Sequence, residues 1–341
     1  MAVRTAVLGA SGFAGSELLR LLEGHPETQV IAATSSSRVG ESLETMYPHL
    51  TKLAGLRFVT IEDALSLGVD VVFSSLPHGE SGKLLARYQG RVVDLAGDFR
   101  LREATSYEPW YGEPHPYPSA LPEWVYGLSE FSRDKIAGAL KVANPGCYPT
   151  AALLALGPLV AGQLVDASSI HIDAKSGVSG AGRAGGEGFD FSAMNENMRA
   201  YSPSGHKHIA EMEQELAVMA GDTVTITFIP HLVPLTRGLL VTCIAPVADG
   251  VDAGTLDRAM ADAYASERFV RVVDGLPETK RLAGTNLAEV ATHFDERSGK
   301  AFAFCAIDNL GKGAAGQAIQ NMNIMLGFDE GLGLSSVGLI P

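Results

Sequence analysis

The stretch Val3-Arg4-Thr5-Ala6-Val7-Leu8-Gly9-Ala10-Ser11-Gly12-Phe13-Ala14-Gly15 decides the fold. Val3 to Leu8 reads as a buried strand that runs directly into three glycines spaced GxxGxxG. A helix follows with Leu18, Leu19 and Leu22 on one face and a stop at Gly24, and Gln29 to Ala33 reads as the next strand. This is a βαβ unit. Glycines between a first strand and its helix let a pyrophosphate approach the N–H groups at the helix N-terminus. Gly9, Ser11, Gly12, Phe13, Ala14 and Gly15 are therefore the expected dinucleotide loop, although the spacing departs from strict GxGxxG.

Outward from this unit, the second strand ends in Thr34-Ser35-Ser36-Ser37-Arg38. An NAD site carries an Asp or Glu there for the ribose 2′-OH. Hydroxyls and a guanidinium suit a 2′-phosphate instead, so Ser35 and Arg38 point to NADP. Strands at Leu56–Val59, Val69–Ser74 and Val92–Leu95 alternate with helices at 61–67 and up to Tyr88, which predicts a parallel sheet covered on both faces. Loops at the carboxyl ends of such strands line the ligand crevice. Leu76, Pro77 and Gly79 are expected to pass over the nicotinamide side, with His78 as wall. Arg100 leaves another strand end as an anion clamp or as a partner of Asp94 or Asp98. Residues 108–122, dense in proline and aromatics, are expected to form an irregular loop around the site mouth.

Asn144-Pro145-Gly146-Cys147-Tyr148-Pro149-Thr150 follows a strand at Leu140–Ala143 and precedes an apolar helical run from Ala151. A thiol at the start of a helix feels its N–H groups and dipole, which is expected to lower the pKa of Cys147. Cys243 and Cys305 lie in strand-like runs and read as core.

Beyond Cys147 comes a strand at Ser168–Ala174, then Ser176-Gly177-Val178-Ser179-Gly180-Ala181-Gly182-Arg183 and on to Gly188. Backbone N–H groups with Arg183 make a nest for a phosphate or oxyanion, with Ser176, Gly177 and Gly180 beside the cofactor. In Ala200-Tyr201-Ser202-Pro203-Ser204-Gly205-His206-Lys207-His208, His208 opens a helix and Glu211 stands one turn on, placed to accept from its ring. A carboxylate-oriented imidazole suits acid/base chemistry near neutral pH. The HxH pair lacks a third ligand by spacing, so no metal is expected. Strands at Val224–Ile229, Gly238–Ala245, Leu287–Phe294 and Ala301–Ile307, the last two joined at Arg297–Lys300, predict a mainly antiparallel sheet in an α+β second domain. Residues 230–238 are too proline-rich for a plain strand, and His231 and Arg237 are candidates for a substrate carboxylate. Asp308 to Ala318 enters a small-residue helix ending near Leu326, expected to pack back on the first domain with Asn309, Lys312 and Gly313 touching the cofactor. The division is then 1–146 with 309–341 for the Rossmann-type unit, and 147–308 for the substrate, catalytic and oligomerisation unit.

The chain of 341 residues is 46% hydrophobic and 19% charged, enough for two domains of a globular protein. A net charge of −13 argues against nucleic acid or an anionic membrane as partner. The three cysteines are scattered, odd in number and free of CxxC spacing, which fits a reducing compartment. Val3–Leu8 is too short for a leader, and the apolar run at 151–161 is broken by Gly157 and Pro158, so a cytoplasmic location is expected. The last few residues read as a free tail.

These stretches, in this order along the whole chain, resemble the N-acetyl-γ-glutamyl-phosphate reductase family (type 1) of arginine biosynthesis. That family belongs with aspartate-semialdehyde and glyceraldehyde-3-phosphate dehydrogenases. Asn144 to Thr150 carries the most specific part of the likeness. The resemblance implies Cys147 as nucleophile, an acid/base from His206 or His208 (His208 favoured through Glu211), NADPH as cofactor, and a homodimer or homotetramer joined by the second sheet. The residues fit this chemistry: thiolate attack on an acyl phosphate leaves a thioester. The Cys147 N–H and the Asn144 side chain are the candidate oxyanion donors, and Arg183 with Arg100 would meet the leaving phosphate. Within enzymes the alternative is a sister reductase of aspartyl phosphate or of a carrier-linked aminoadipyl or glutamyl phosphate. Outside enzymes it is a Rossmann-type sensor, for which the thiol, histidines and clamps have no use.

Overall fold

Two seven-stranded sheets organise the chain. The computed structural model describes residues 2–183, 188–203 and 205–339. Part of the Gly-rich stretch (184–187), Ser204 and the end of the expected tail lie outside the described residues.

The first sheet comprises β1 (Val3–Leu8), β2 (Thr28–Thr34), β3 (Phe58–Val59), β4 (Val71–Ser74), β5 (Arg91–Asp94), β6 (Trp124–Tyr126) and β7 (Lys141–Ala143). Its order is β3-β2-β1-β4-β5-β7-β6, and every pair is parallel. The order reverses between β1 and β4, and a crevice outside their carboxyl ends is the ligand position of a doubly wound sheet. Val7, Leu8, Val72 and Phe73 are fully buried because helices cover both faces. Leu18, Leu19 and Leu22 of the helix Phe13–Gly24 pack into one of these layers.

The second sheet comprises β8 (Ile170–Gly177), β9 (Arg199–Ala200), β10 (Ile226–Val233), β11 (Leu239–Pro246), β12 (Val270–Val272), β13 (Ala288–Asp295) and β14 (Lys300–Ile307). Its order is β12-β13-β14-β11-β8-β10-β9, with β8–β10 and β12–β13 parallel and the other pairs antiparallel. Alternate residues such as Val241, Cys243, Ala303 and Cys305 pack inward against the helices Cys147–Ala161, His208–Ala220 and Ala253–Tyr264. The helix Cys147–Ala161 is apolar on every side, as a helix enclosed by other elements must be. After β14 a π-helical turn at Gly311–Ala315 leads into the helix Gly316–Leu326, which packs on Phe13–Gly24 and on Ser129–Ile136.

Several local expectations need correction. Residues 108–122 do contain regular structure: a helical turn at Glu108–Tyr111 and a 3-10 turn at Pro118–Glu123, each with a proline in its first positions where no N–H is needed. The strand β10 runs through Pro230 and His231 to Val233. Tyr201 donates its N–H to the Pro230 carbonyl, so the proline nitrogen also faces the short edge strand β9, where no ladder donor is required. The strands β6, β9 and β12 and the helices Ser129–Ile136 and Ala253–Tyr264 were not foreseen from the sequence. Among the described residues, no helix is long and apolar enough to cross a membrane.

Candidate active site

Cys147 is the first residue of its helix, four residues earlier than the apolar pattern indicates. Gly146 caps that helix with extended backbone (φ −67°, ψ 155°), and its own N–H is gripped by Glu211 Oε1 at 2.8 Å. The same carboxylate oxygen accepts from the Tyr126 hydroxyl at 2.7 Å, while Oε2 pairs with Arg100 Nη1 at 3.2 Å. Glu211 therefore does not orient the His208 ring. A backbone amide, a phenol and a guanidinium already occupy both of its oxygens.

Arg100 in turn donates Nε to the Asn144 carbonyl at 2.9 Å and Nη2 to the Leu95 carbonyl at 2.7 Å. Its carboxylate partner is Glu211, neither Asp94 nor Asp98. Nη1 also lies 3.4 Å from His208 Nε2. A guanidinium only donates, so Nε2 is the acceptor and the proton of the neutral ring sits on Nδ1. That Nδ1 is buried with no hydrogen-bond partner among the described residues. The ring stands beside the thiol turn: a Cβ on Gly146 would run into His208 Nε2 and come within 2.9 Å of Arg100 Nη1.

Burial pushes the Cys147 thiol up to about 11, while Arg100 and the N–H groups of Tyr148 and Cys147 pull it back. The helix start thus acts in the expected direction, and desolvation outweighs it. The same burial drives His206 down to about 4 and His208 well below its ordinary value, the latter helped by His206 and Arg100. At neutral pH the site holds a protonated thiol beside a neutral, accepting imidazole. His206 Nδ1 accepts the His208 backbone N–H at 3.2 Å and so braces the helix start.

Two cavities meet at Cys147 and His208. One, of about 210 Å³, is lined by Phe13, Ala14, Arg100, Asn144, Asn309 and Gly313. The other, of about 490 Å³, lies toward the second sheet and includes Ser176, Gly180, Arg199, Tyr201 and His206. A third cleft of about 890 Å³ sits over the carboxyl ends of β1, β2 and β4, lined by Gly9, Ser11, Gly12, Ser35, Leu76, Pro77 and Arg183 among others.

A family model described as "Semialdehyde dehydrogenase, NAD binding domain" matches residues 4–139, and one described as "Semialdehyde dehydrogenase, dimerisation domain" matches residues 147–309. The N-acetyl-gamma-glutamyl-phosphate reductase of Pelotomaculum thermopropionicum is 44% identical over 350 aligned positions, covering 100% of both chains. That of Geotalea daltonii is 45% identical, over 99% of this chain and 100% of the relative. The chain belongs to the N-acetyl-γ-glutamyl-phosphate reductase family. In fold it is similar to aspartate semialdehyde dehydrogenase II of Vibrio cholerae, a structure described as "complexed with ASA", at a TM-score of 0.72, 18% identity and 96% and 98% coverage of the two chains.

Within this reductase family frame, the 890 Å³ cleft fits a dinucleotide phosphate. A Cβ on Gly9 would press to 2.7 Å from the Ser75 carbonyl, and one on Gly15 would strike the Gly9 carbonyl, so both glycines are dictated by packing. A Cβ on Gly12 would meet only the Gly9 carbonyl at 3.5 Å, which leaves the loop backbone open to a ligand. Ser35 faces the cleft through a 2.9 Å contact with Ser11, and no carboxylate stands at the end of β2. Arg183 belongs here as well: Nε donates to the Ser11 carbonyl at 2.7 Å and the guanidinium covers the Phe13 ring at 4.7 Å. It is the only cation lining the cleft among the described residues.

Other candidates are engaged elsewhere. Arg38 pairs with Glu41 on the surface at 2.8 Å and is not among the cleft's lining residues. Gly79 N–H donates to Asp98 at 2.9 Å, and its φ of +84° starts the next helix. Gly177 is wedged against the Leu235 carbonyl. Lys312 is fully buried, bound to Glu130 at 2.6 Å and Gln320 at 2.8 Å, and lines none of these three cavities. Arg237 is fixed by Glu17 and Asp308 at 2.5 and 2.9 Å, and His231 Nδ1 lies 3.3 Å from the Ala174 carbonyl and 3.2 Å from Asp173; neither residue lines any of these three cavities. The Asn144 amide donates to the Ala314 carbonyl at 3.2 Å and accepts from Asn321 at 3.0 Å, so its side chain is already engaged. Asn309 lines the small cavity while bonded to Ser179 and Gly238. Tyr126 and Arg199 were not singled out from the sequence. Tyr126 lies in a short strand with no local signal, and Arg199 follows a stretch without periodicity.

Proposed function

We infer that the chain catalyses the NADPH-dependent reduction of N-acetyl-γ-glutamyl phosphate to N-acetylglutamate 5-semialdehyde and phosphate, a step of arginine biosynthesis. The observation that carries this is end-to-end identity near 44% with reductases of that name, in a chain whose Cys147 faces the cavities. The aspartate branch shares the fold at 18% identity only.

His208 Nε2 takes the proton of the Cys147 thiol as sulfur attacks the acyl carbonyl, so the raised thiol pKa is overcome in the encounter with substrate. The tetrahedral oxyanion meets the Cys147 N–H, a donor fixed before reaction. Collapse of the intermediate breaks the C–O bond to phosphate and leaves a thioester on Cys147. NADPH held in the 890 Å³ cleft would supply the hydride that reduces this thioester, leaving a hemithioacetal oxyanion at the former carbonyl. Breaking its C–S bond frees the semialdehyde and returns the thiolate, which recovers its proton from His208. Glu211 and Arg100 hold the Gly146–Cys147 turn throughout.

The reading extends to assembly and place. The outer face of the second sheet carries Ile244, Phe302 and Phe304, all partly exposed, and Ile229 at 38% exposure, which supports a homodimer or homotetramer built on that face; the proposed location is the cytoplasm. Light scattering of the purified chain tests this, and a monomer would refute it.

For the reaction, purified protein is supplied with NADP⁺, phosphate and N-acetylglutamate semialdehyde, and reduced cofactor is followed by absorbance. Turnover absent with aspartate semialdehyde and abolished in Cys147→Ser is expected. Turnover with aspartate semialdehyde instead would transfer the chain to the sister reaction.

A further inference from the structure

The 490 Å³ cavity beside Cys147 has one cation among its described lining residues, Arg199, and no carboxylate. Tyr148, Phe189, Tyr201 and Leu232 supply apolar walls. The position of Arg199 is set by backbone: β9 pairs antiparallel with β10, placing Arg199 opposite Leu232 and Ala200 opposite His231. Its guanidinium lies over the Phe189 ring at 5.3 Å. Its one hydrogen bond among the described residues is a marginal contact of Nη2 with the Gly188 carbonyl at 3.5 Å. Arg100 and Arg237 differ, since each is bound to a carboxylate. Arg199 thus lines the cavity as an exposed guanidinium with no carboxylate partner among the described residues, and a planar donor fork of this kind pairs bidentately with a carboxylate.

We propose that Arg199 reads the α-carboxylate of the substrate, and that the β9 edge is the element selecting an N-acylated amino acid. The proposal rests on the reaction inferred above. With the acyl phosphate at Cys147, the rest of such a substrate carries one anion and a neutral amide. A cavity with one cation and no described anion matches that pattern. An unacylated amino acid would bring an ammonium group with no described carboxylate to receive it, and an unpaired charge in an apolar pocket is costly. The cavity's volume lies in the range of small-molecule sites, and its aromatic walls suit the acetyl methyl group.

The test is steady-state kinetics in the direction of acyl phosphate formation, with wild type, Arg199→Gln and Arg199→Lys. Each is assayed on N-acetylglutamate semialdehyde and on its α-carboxamide analogue. In Arg199→Gln the KM for the semialdehyde is expected to rise about tenfold or more, the scale of one lost charge-assisted pair. The KM for NADP⁺ and for phosphate is expected to stay within about twofold, which also reports that the variant is folded; Arg199→Lys falls between. Wild type is expected to lose about as much on the carboxamide as Arg199→Gln loses on the acid, and the variant to lose little more on that analogue. An unchanged semialdehyde KM in Arg199→Gln, with wild type active, overturns the proposal alone. A rise confined to the phosphate KM overturns it too, because the guanidinium would then serve phosphate. Wild type inactive on N-acetylglutamate semialdehyde removes the reaction and this proposal together.

Discussion

Glu211 Oε1 accepts the Gly146 N–H at 2.8 Å, so the second-domain helix His208–Ala220 holds the turn that carries Cys147 by its backbone. The carboxylate is buried and simultaneously binds Arg100 and Tyr126. Glu211→Gln keeps the shape and removes the charge, leaving Arg100 without its counter-ion. Hydrogen bonds to charged groups are worth about 1.5–3 kcal/mol. A fall in kcat/KM of about 10- to 100-fold is expected, with lowered thermal stability and a nearly unchanged KM for NADP⁺. Wild-type kcat in this variant would show that the turn is held without Glu211.

The Cys147 thiol, pushed up to about 11, is protonated at pH 7 in the free protein. Its alkylation by iodoacetamide is therefore expected to accelerate about tenfold per pH unit from pH 7 toward pH 10. A rate that levels off below pH 8 would show a pre-formed thiolate. His208→Asn removes the accepting nitrogen, and turnover at pH 7 is expected to fall by about 10²–10⁴-fold. Part of that loss is recovered as pH rises, because solvent hydroxide then supplies the thiolate.

Lys312 and Glu130 are both fully buried and 2.6 Å apart. Lys312→Met strands the glutamate, and a loss of about 3–5 kcal/mol is expected in chemical denaturation. The double variant Lys312→Met/Glu130→Leu removes both charges and is expected to recover most of this, with the KM for NADP⁺ unchanged. A rise in that KM in a stable double variant would return Lys312 to the cofactor.

Burial raises the Asp94 carboxyl from 3.8 to about 6, against hydrogen bonds from Ser81 and the Ala96 N–H. The native state then binds the proton more tightly than the unfolded chain. The stability tied to that proton is complete below pH 3.8 and is lost as pH rises through about 6. Asp94→Asn removes this dependence. The variant is expected to gain on wild type by up to about 3 kcal/mol between pH 4 and pH 8 in paired denaturation curves. A constant difference across that range would place the carboxyl at its ordinary pKa.

The elements legible in the sequence are those fixed by near neighbours. Gly9, Gly12 and Gly15 announce a close approach of backbone, and Cys147 sits where a strand, a glycine and a helix follow within a few residues. Arg38 apart, whose partner Glu41 is three residues on, the sequence reading failed for long charged side chains with partners distant in the chain. Arg237 finds Glu17 across 220 positions, Arg183 reaches Ser11 across 172, and Lys312 reaches Glu130 across 182. No local pattern encodes which of several carboxylates a guanidinium will meet. Desolvation of the thiol is likewise a property of the assembled pocket, which is why the helix start alone gave the wrong direction for Cys147.

The π-helical turn at 311–315 carries a consequence for synthesis. Gly313 abuts Cys147, since a Cβ there would come within 2.9 Å of the Cys147 Cβ, and Ala314 takes the Asn144 amide proton. The thiol therefore gains its last wall only when a segment translated some 170 residues later has left the ribosome. Until that segment emerges, the Cys147 side chain lacks the wall that Gly313 supplies. The site around the thiol therefore closes only late in synthesis, because its lining is drawn from Phe13 at one end of the chain to Ala314 near the other.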